Sequence, residues 1–305
     1  MFLITLTTVA IMLAYALPGY LTVKTGLIKS DSIPAFAKML MYVCQPCLTV
    51  YSFQKADYTP ALGVNILIVF VIALALIGGM MGIFYLVFRR RQDDVRCRIA
   101  VLSACFGNVN FIGVPLVEAL VPECAEAAIY STVFFIAMNI LGWTVGSTLI
   151  TRDKKYCKPM KIVLNPAVLA LVVALPLFFT GTKIPGALGD AVTLMGRMST
   201  PLCMIILGMR LATVKFAGIF IEKLQYISVL AKQVLMPLLA LLAVSLLPLD
   251  GQLKTCVFIL AGCPVAAVVL NFAEMLGEGQ KEAANTVLLG TLLSIVTLPV
   301  MLLLA

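Results

Sequence analysis

The sequence predicts an all-α polytopic membrane protein, with ten transmembrane helices arranged as an inverted repeat of five plus five. Of its 305 residues, 62% are hydrophobic and 12% are charged, and the mean hydropathy is +1.09. A soluble domain is nearer half apolar. A helix needs about 20 apolar residues to cross a bilayer. Ten such runs follow one another with no room for a soluble domain, at 2–22, 33–53, 61–88, 98–120, 126–150, 163–180, 187–210, 224–247, 253–276 and 283–304.

Runs 1 and 2 each allow a second interpretation, as a signal peptide and as a redox motif, and in both cases a membrane helix is favoured. No basic residue precedes run 1, and the run is longer than the apolar core of a signal peptide, so we expect it to be retained. Run 2 contains Cys44 and Cys47, whose C-x-x-C spacing inside a membrane helix favours packing over a redox role. The nine cysteines are an odd number and argue against a disulfide framework.

Basic residues cluster in the loops that follow odd-numbered runs. These loops hold seventeen lysines and arginines, including Arg89, Arg90 and Arg91 after run 3, whereas the loops on the other side hold three. Because cytoplasmic loops are rich in Lys and Arg, both termini are expected on the non-cytoplasmic side. This placement of basic residues in cytoplasmic loops accounts for the net charge of +8, so no nucleic-acid partner is predicted.

Runs 4 and 9 contain residues that are unusual inside a membrane helix. Run 4 carries FGNVNFIGVP at 106–115, and run 9 carries Pro264. A proline inside a helix leaves the carbonyl four residues earlier without its partner, here those of Phe111 and Leu260. At membrane depth such groups must be satisfied by protein or water. We therefore predict that both helices are broken and that Pro115 and Pro264 begin their second halves, since proline is tolerated in a first turn.

The second halves of helices 4 and 9 are predicted to start near the membrane centre and to point away from each other. Their N-terminal ends carry unpaired amides and positive partial charge, which favours an anion. The alternative is that these residues only let the helices pack, since Gly and Pro are common in membrane helices. Breaks in both halves favour a site. The predicted substrate-binding residues are Asn108, Asn110, Gly113, Pro115, Gly262, Pro264 and Asn271.

The five runs before and after a hydrophilic linker at 152–162 form the two repeats, 1–151 and 163–305. Ala-Leu-Pro occurs in run 1 and again in run 6, and Pro46 and Pro115 have counterparts in Pro201 and Pro264. The order of the matches is kept, with offsets of 158, 155 and 149 residues. Because five is odd, the second repeat enters the membrane from the opposite side, as in many secondary transporters.

Two basic residues, Lys232 and Arg197, remain once those assigned to the loops are set aside, and both are candidates for function because such charges are costly in a membrane. Lys232 in run 8 either snorkels to the cytoplasm or pairs with Glu274 as a possible coupling site. For Arg197 in run 7 a structural ion pair is expected. Asn139 and Asn271 are polar residues in apolar helices, where interhelical hydrogen bonds also explain them. No carboxylate is expected at the centre of runs 4 and 9, so coupling to protons or sodium stays open.

The stretch GNVNFIGVPL at 107–116 resembles the GN-x-GFIG-x-P signature of the auxin efflux carrier family, with Asn110 where many members have Gly. Asn165-Pro166 in run 6 and Lys232 with Pro237 in run 8 are similar to that family too. The resemblance implies a scaffold of helices 1, 2, 6 and 7, usually dimerised, and a mobile bundle of helices 3–5 and 8–10. It also implies a compact bacterial form in the inner (plasma) membrane and carboxylate substrates such as malate, malonate or auxin.

The predicted function is secondary transport of a small organic anion by alternating access at the crossing of helices 4 and 9, in a homodimer without cofactors. The alternative is a cation-coupled or cation-exchanging carrier for sodium or protons on a related crossed-helix fold. An intramembrane enzyme is disfavoured because the chain has no histidine, the commonest general base. A channel would differ by its larger currents and by the absence of saturable exchange.

Overall fold

The computed structural model describes residues 2–153, 155, 160–214 and 216–304. Lys154, Lys158 and Lys215, counted above among the basic loop residues, lie outside the described residues, as does part of the predicted linker. Within the described part, the regular structure is helical apart from one isolated β-bridge. Seven helical segments are long and apolar enough to cross a membrane, and three apolar helices are shorter. The predicted all-α membrane protein is therefore confirmed at this level.

The helices of the first half follow the predicted runs closely. They are α1 (Phe2–Ala14), α2 (Ala16–Lys24), α3 (Ile33–Met39), α4 (Gln45–Gln54), α5 (Pro60–Val87), α6 (Val95–Cys105), α7 (Val114–Leu120), α8 (Ala127–Leu141) and α9 (Ser147–Thr151). Five of the seven long segments take in adjacent helices, so that α1 and α2 together form one candidate span, Phe2–Lys24, whereas α5 and α18 are each a span alone.

The second half continues in the same way. Its helices are α10 (Met160–Val163), α11 (Pro166–Phe179), α12 (Gly186–Arg197), α13 (Ser199–Thr213), α14 (Lys223–Leu230), α15 (Met236–Ser245), α16 (Gly251–Gly262), α17 (Val268–Leu276) and α18 (Gln280–Met301). The segments α6–α7 and α16–α17 are each interrupted by a few non-helical residues, at the two places where breaks are predicted.

Widened, π-helical turns precede three of the prolines within the apolar helices. The turns Leu40–Cys44, Val109–Gly113 and Ala231–Leu235 each end two residues before a proline, at 46, 115 and 237. A proline cannot donate to the fourth preceding carbonyl, and a π-turn moves the hydrogen bonds to a longer spacing around it. In each case the helix continues through the proline.

The closest approach between two helices joins α2 and α13. A Cβ atom on Gly19 would lie 2.0 Å from the carbonyl oxygen of Ile205, and one on Gly208 would lie 1.8 Å from that of Ala16. Only glycine fits at either position, and such small-residue contacts are typical of membrane helix pairs. This pairing fixes the first candidate span against the segment Gly186–Thr213.

Candidate functional site

The two broken segments meet at their breaks. Gly107 and Val265 form an antiparallel bridge. The backbone N–H of Asn108 donates to the carbonyl of Pro264 at 2.7 Å, and that of Ala266 donates to Phe106 at 2.9 Å. Backbone groups freed by the breaks thus satisfy one another across the crossing, as buried groups in an apolar interior must.

The role predicted for Pro115 needs correction. The second half of helix 4 does not begin at Pro115 but at Val109, with the turn Val109–Gly113 leading into α7. The break lies at 106–108, where Gly107 and Asn108 leave helical geometry. Pro115 nevertheless frees the carbonyl of Phe111, and the hydroxyl of Thr200 in α13 donates to that oxygen at 2.7 Å.

Pro264 also does not begin a helix. It lies in the non-helical stretch between α16 and α17, four residues before Val268, and its carbonyl accepts from Asn108. Gly113 and Gly262 pack against neighbouring side chains, Gly113 against Leu260 and Gly262 against Leu298. Of the predicted substrate-binding residues, only Asn108, Asn110 and Asn271 line the cavity beside the crossing, while Pro115 lines a separate one.

The cavity beside the crossing has a volume of about 150 Å³. A cavity of about that size in another protein holds a benzene molecule, so there is room for a ligand of a few heavy atoms. Its polar lining is dominated by side-chain amides. Five of the seven asparagines in the chain line it, together with Gln45 and Arg210: Asn108, Asn110, Asn139, Asn165 and Asn271.

Asn110 is the most unusual of these amides. Its side chain is only 2% exposed, yet neither the oxygen nor the nitrogen has a hydrogen-bond partner among the described residues. An unsatisfied buried amide costs about 1–3 kcal/mol, and such groups in native structures call for an explanation. A polar ligand in the cavity supplies one.

Two other amides hold the cavity wall together. The Asn165 side chain donates to the Asn139 oxygen at 3.0 Å, and Asn139 donates to the carbonyl of Phe135 at 2.9 Å. Asn165 also caps α11 by accepting from the N–H of Ala167 at 3.0 Å. The interhelical hydrogen bond predicted for Asn139 is present. The sequence did not predict that Asn139 and Asn165 line the cavity together, because the two residues are 26 positions apart and only the fold brings them into contact.

Both helix starts contribute to the same cavity. Residues 109–111 begin the segment Val109–Leu120, and residues 266–268 lead into α17; both sets line the cavity. The first amides of a helix have no partner within it, and they carry positive partial charge. The predicted convergence of two helix N-termini on one space is therefore present, although the helices begin at other residues than the prolines.

The structure does not bring Lys232 and Glu274 together. Lys232 is completely buried, and its ammonium donates to the carbonyl of Ala261 in the last turn of α16. Glu274 is exposed and forms an ion pair with Arg210 at 3.5 Å. The predicted pairing of Lys232 with Glu274 is thus wrong, and the alternative, that Lys232 snorkels to the surface, is contradicted by its burial.

A second cavity, of about 290 Å³, lies beside Pro115 and is lined by Glu118, Arg197 and Thr200. Arg197 is exposed, and none of the ion pairs among the described residues includes it, in contrast to the structural pair that the sequence predicts. Glu118 accepts from Lys55 at 2.8 Å and from the Tyr51 hydroxyl at 3.1 Å. Partial burial lowers the pKa of Lys55, but the hydrogen bond and the charge of Glu118 have the larger combined effect, so that the pKa of Lys55 is raised.

Comparison with known proteins relates the chain to membrane transport proteins. A family model described as "Membrane transport protein" matches residues 4–161 and 157–302. A relative from Rhizobium meliloti, described as "Putative malonate transporter", is 25% identical over 297 residues, which cover 92% of this chain and 89% of that protein.

Proposed function

We propose, from the premise that this chain belongs to the membrane transport protein family, that it is a secondary transporter for a small organic anion. The family match covers nearly the whole chain and bears out the resemblance to auxin efflux carriers. The observation that carries the anion proposal is the buried, unpartnered amide of Asn110 between two converging helix starts. Malonate is the first candidate, because the relative's name refers to it.

The chemistry of the cavity suits a carboxylate. Backbone N–H groups at helix starts and asparagine amides donate hydrogen bonds to carboxylate oxygens, and hydrogen bonds to a charged acceptor are roughly twice as strong as neutral ones. Asn108 also donates weakly to the Cys203 thiol at 3.8 Å, a partner that a carboxylate oxygen would readily replace. The proposed ligand contacts are the amides of Asn108, Asn110 and Asn271.

Alternating access is proposed from the two ion pairs on opposite sides of the crossing. Lys55 and Glu118 join α4 to α7 at 2.8 Å, whereas Arg210 and Glu274 join α13 to α17 at the longer distance of 3.5 Å. On the predicted topology the first pair is outer and the second inner. We infer that the structure represents an inward-facing state, with the outer pair closed and the inner pair loosened beside the cavity.

The same pairs support the inverted repeat. Lys55 and Arg210 are 155 residues apart, the offset that also relates Pro46 to Pro201. In each half a basic residue at the end of a scaffold helix meets a glutamate on the second half of a broken helix. The proposed ten-helix arrangement therefore has a scaffold of helices 1, 2, 6 and 7 and a moving bundle of helices 3–5 and 8–10. A homodimer in the bacterial inner membrane, with both termini outside, remains part of this proposal.

The second candidate is a cation-coupled or cation-exchanging carrier. The observation that favours coupling of some kind is the intramembrane charge of Lys232. The anion proposal is preferred because the cavity combines the buried, unpartnered amide of Asn110 with two helix starts.

A ligand screen tests the proposal. The purified protein is heated with malonate, malate and monocarboxylates, and separately with sodium and potassium salts of an inert anion. A ligand that binds only the folded state stabilises it by about 2.7 kcal/mol at a hundredfold excess over its Kd. We expect malonate or a close analogue to raise Tm and to be taken up by proteoliposomes. Stabilisation by a cation alone, with no effect of any carboxylate, would contradict the anion proposal.

A further inference from the structure

Lys232 is a buried cation without an acidic partner. It is 0% exposed and lies in the widened turn Ala231–Leu235 between α14 and α15. None of the ion pairs formed by the described residues includes it. Burial of a lysine without compensation is very costly, so its surroundings must stabilise the charge.

Lys232 lies beside the ends of α16 and α6, the first halves of the two broken segments. Its ammonium donates to the carbonyl of Ala261, in the last turn of α16. It also lies against Gly107, two residues beyond the end of α6: a Cβ on Gly107 would be 2.7 Å from Cε and 2.9 Å from Nζ of Lys232. Helix C-terminal ends carry negative partial charge and favour a cation. Gly107 is therefore required to admit the lysine.

Gly107 separates Lys232 from the anion cavity. Gly107, Asn108 and Asn110 line that cavity, but Lys232 itself does not. The ammonium thus lies behind the backbone that forms the cavity wall, close enough for its charge to act on a ligand without touching it. Inside a protein, charges at this range interact far more strongly than in water. The sequence marked Lys232 as a functional candidate but did not place its charge beside the binding site.

We propose that Lys232 is a specificity-determining residue of this transporter, a fixed positive charge behind Gly107 that selects substrates by their negative charge. The inference rests on the proposed function and deepens it. It assigns dicarboxylates, rather than monocarboxylates, as the preferred substrate class. Lys232 acts through space on the bound anion, and the contacts to the carboxylates come from the asparagine amides and helix starts.

The probes are malonate and its monomethyl ester, which carry two charges and one at neutral pH. The wild-type protein should bind malonate at least tenfold more tightly than the ester. Lys232→Gln keeps a donor for the Ala261 carbonyl but removes the charge. We expect it to weaken malonate binding about a hundredfold and ester binding about tenfold, since the charge interaction doubles with the second charge. The preference for malonate should therefore fall about tenfold.

Two further variants separate charge from structure. Gln225→Leu is the matched control: Gln225 lies two turns earlier on the same helix, is 4% exposed and has no partner for its amide among the described residues. It should leave both affinities unchanged. Gly107→Ala places a methyl group where the ammonium lies and should reduce the malonate preference as Lys232→Gln does. This variant tests the same inference if Lys232→Gln fails to fold.

The outcomes are distinct. A wild-type protein that binds malonate and the ester equally would overturn the charge-selection inference whether or not any variant folds. Equal weakening of both probes by Lys232→Gln would mean that the lysine only clamps α16, and would also overturn it. If the wild type binds neither probe nor any other carboxylate, the proposed function fails and the inference falls with it.

Discussion

At the scale of single residues, Asn110 decides between a binding site and simple helix packing. Its amide has no partner among the described residues, so removing it breaks no hydrogen bond within the protein. Asn110→Ala should therefore leave Tm unchanged or slightly higher. A hydrogen bond to a charged ligand contributes about 1.5–3 kcal/mol, so affinity for the carboxylate should fall about ten- to a hundredfold, as measured by calorimetry or by ligand-induced thermal shift.

Asn285→Ala is the control for this prediction. Asn285 is 3% exposed, donates to the carbonyl of Gly218 at 3.2 Å and does not line the cavity. Its loss should lower stability without changing affinity. If instead Asn110→Ala lowers Tm and leaves affinity unchanged, the asparagine serves packing and the ligand lies elsewhere.

Thr200 and Pro115 form a second residue-scale pair. The Thr200 hydroxyl satisfies the Phe111 carbonyl that Pro115 leaves free. Thr200→Val should cost about 1 kcal/mol of unfolding free energy. In a Pro115→Ala background the restored N–H of residue 115 can donate to Phe111 instead, so the cost of Thr200→Val should shrink. A double-mutant cycle on detergent-solubilised protein measures this, and additive effects would show that the hydroxyl is not needed for that carbonyl.

At the scale of helices, the contact of α2 with α13 depends on glycine. A Cβ on Gly208 would meet the Ala16 carbonyl oxygen at 1.8 Å, so Gly208→Ala forces two backbones apart. Overpacking of this kind costs about 1–3 kcal/mol, and Tm should fall accordingly. The control is Gly79→Ala in the middle of α5, where nothing lies within 4 Å of the added atom. That change should be neutral or stabilising by about 0.5–1 kcal/mol. Equal effects of the two variants would argue against a close crossing.

The ion pair between Lys55 and Glu118, at the end of α4, is proposed to stabilise the inward-facing state. Lys55 and Glu118 have side-chain exposures of 34% and 23%, so solvent weakens their attraction, and pairs of this kind contribute about 0–1 kcal/mol. Lys55→Met should raise the ratio of outward-facing to inward-facing protein by up to about fivefold. Cys203, which lines the cavity beside the crossing, should then be alkylated more slowly, as measured by residue-resolved mass spectrometry.

Arg210→Met is the matched change on the inner side. It removes the partner of Glu274 and should speed alkylation of Cys203. Lys55→Glu combined with Glu118→Lys should restore the wild-type rate. Identical changes from Lys55→Met and Arg210→Met would mean that neither ion pair controls access.

At the scale of the whole molecule, the distribution of charge predicts the orientation in the membrane. From seventeen lysines and arginines in the loops of one side against three in those of the other, we expect both termini outside the cytoplasm. A C-terminal alkaline phosphatase fusion should be active and a fluorescent-protein fusion dark. A fluorescent C-terminal fusion would contradict the orientation and, with it, the proposed inward-facing assignment of the cavity.

The sequence alone determined the class of molecule, the approximate helix limits and the positions of the breaks. These follow from local properties: apolar runs of membrane length, and Gly, Asn and Pro at 106–115 and around 264, which cannot continue an ordinary helix in lipid. The signature at 107–116 also pointed to the family that the comparison then showed.

Only the tertiary structure decided which groups satisfy one another. Thr200 meets Phe111 from 89 residues away, Lys232 meets Ala261 from 29, and Arg210 meets Glu274 from 64. Local patterns cannot predict such partners, because a freed carbonyl or a buried charge accepts any donor or opposite dipole that the fold brings near. For the same reason the sequence placed helix starts at the prolines and paired Lys232 with Glu274. The helices instead begin where the crossing backbones have satisfied each other, and the lysine lies against Gly107, where the end of α16 offers the Ala261 carbonyl.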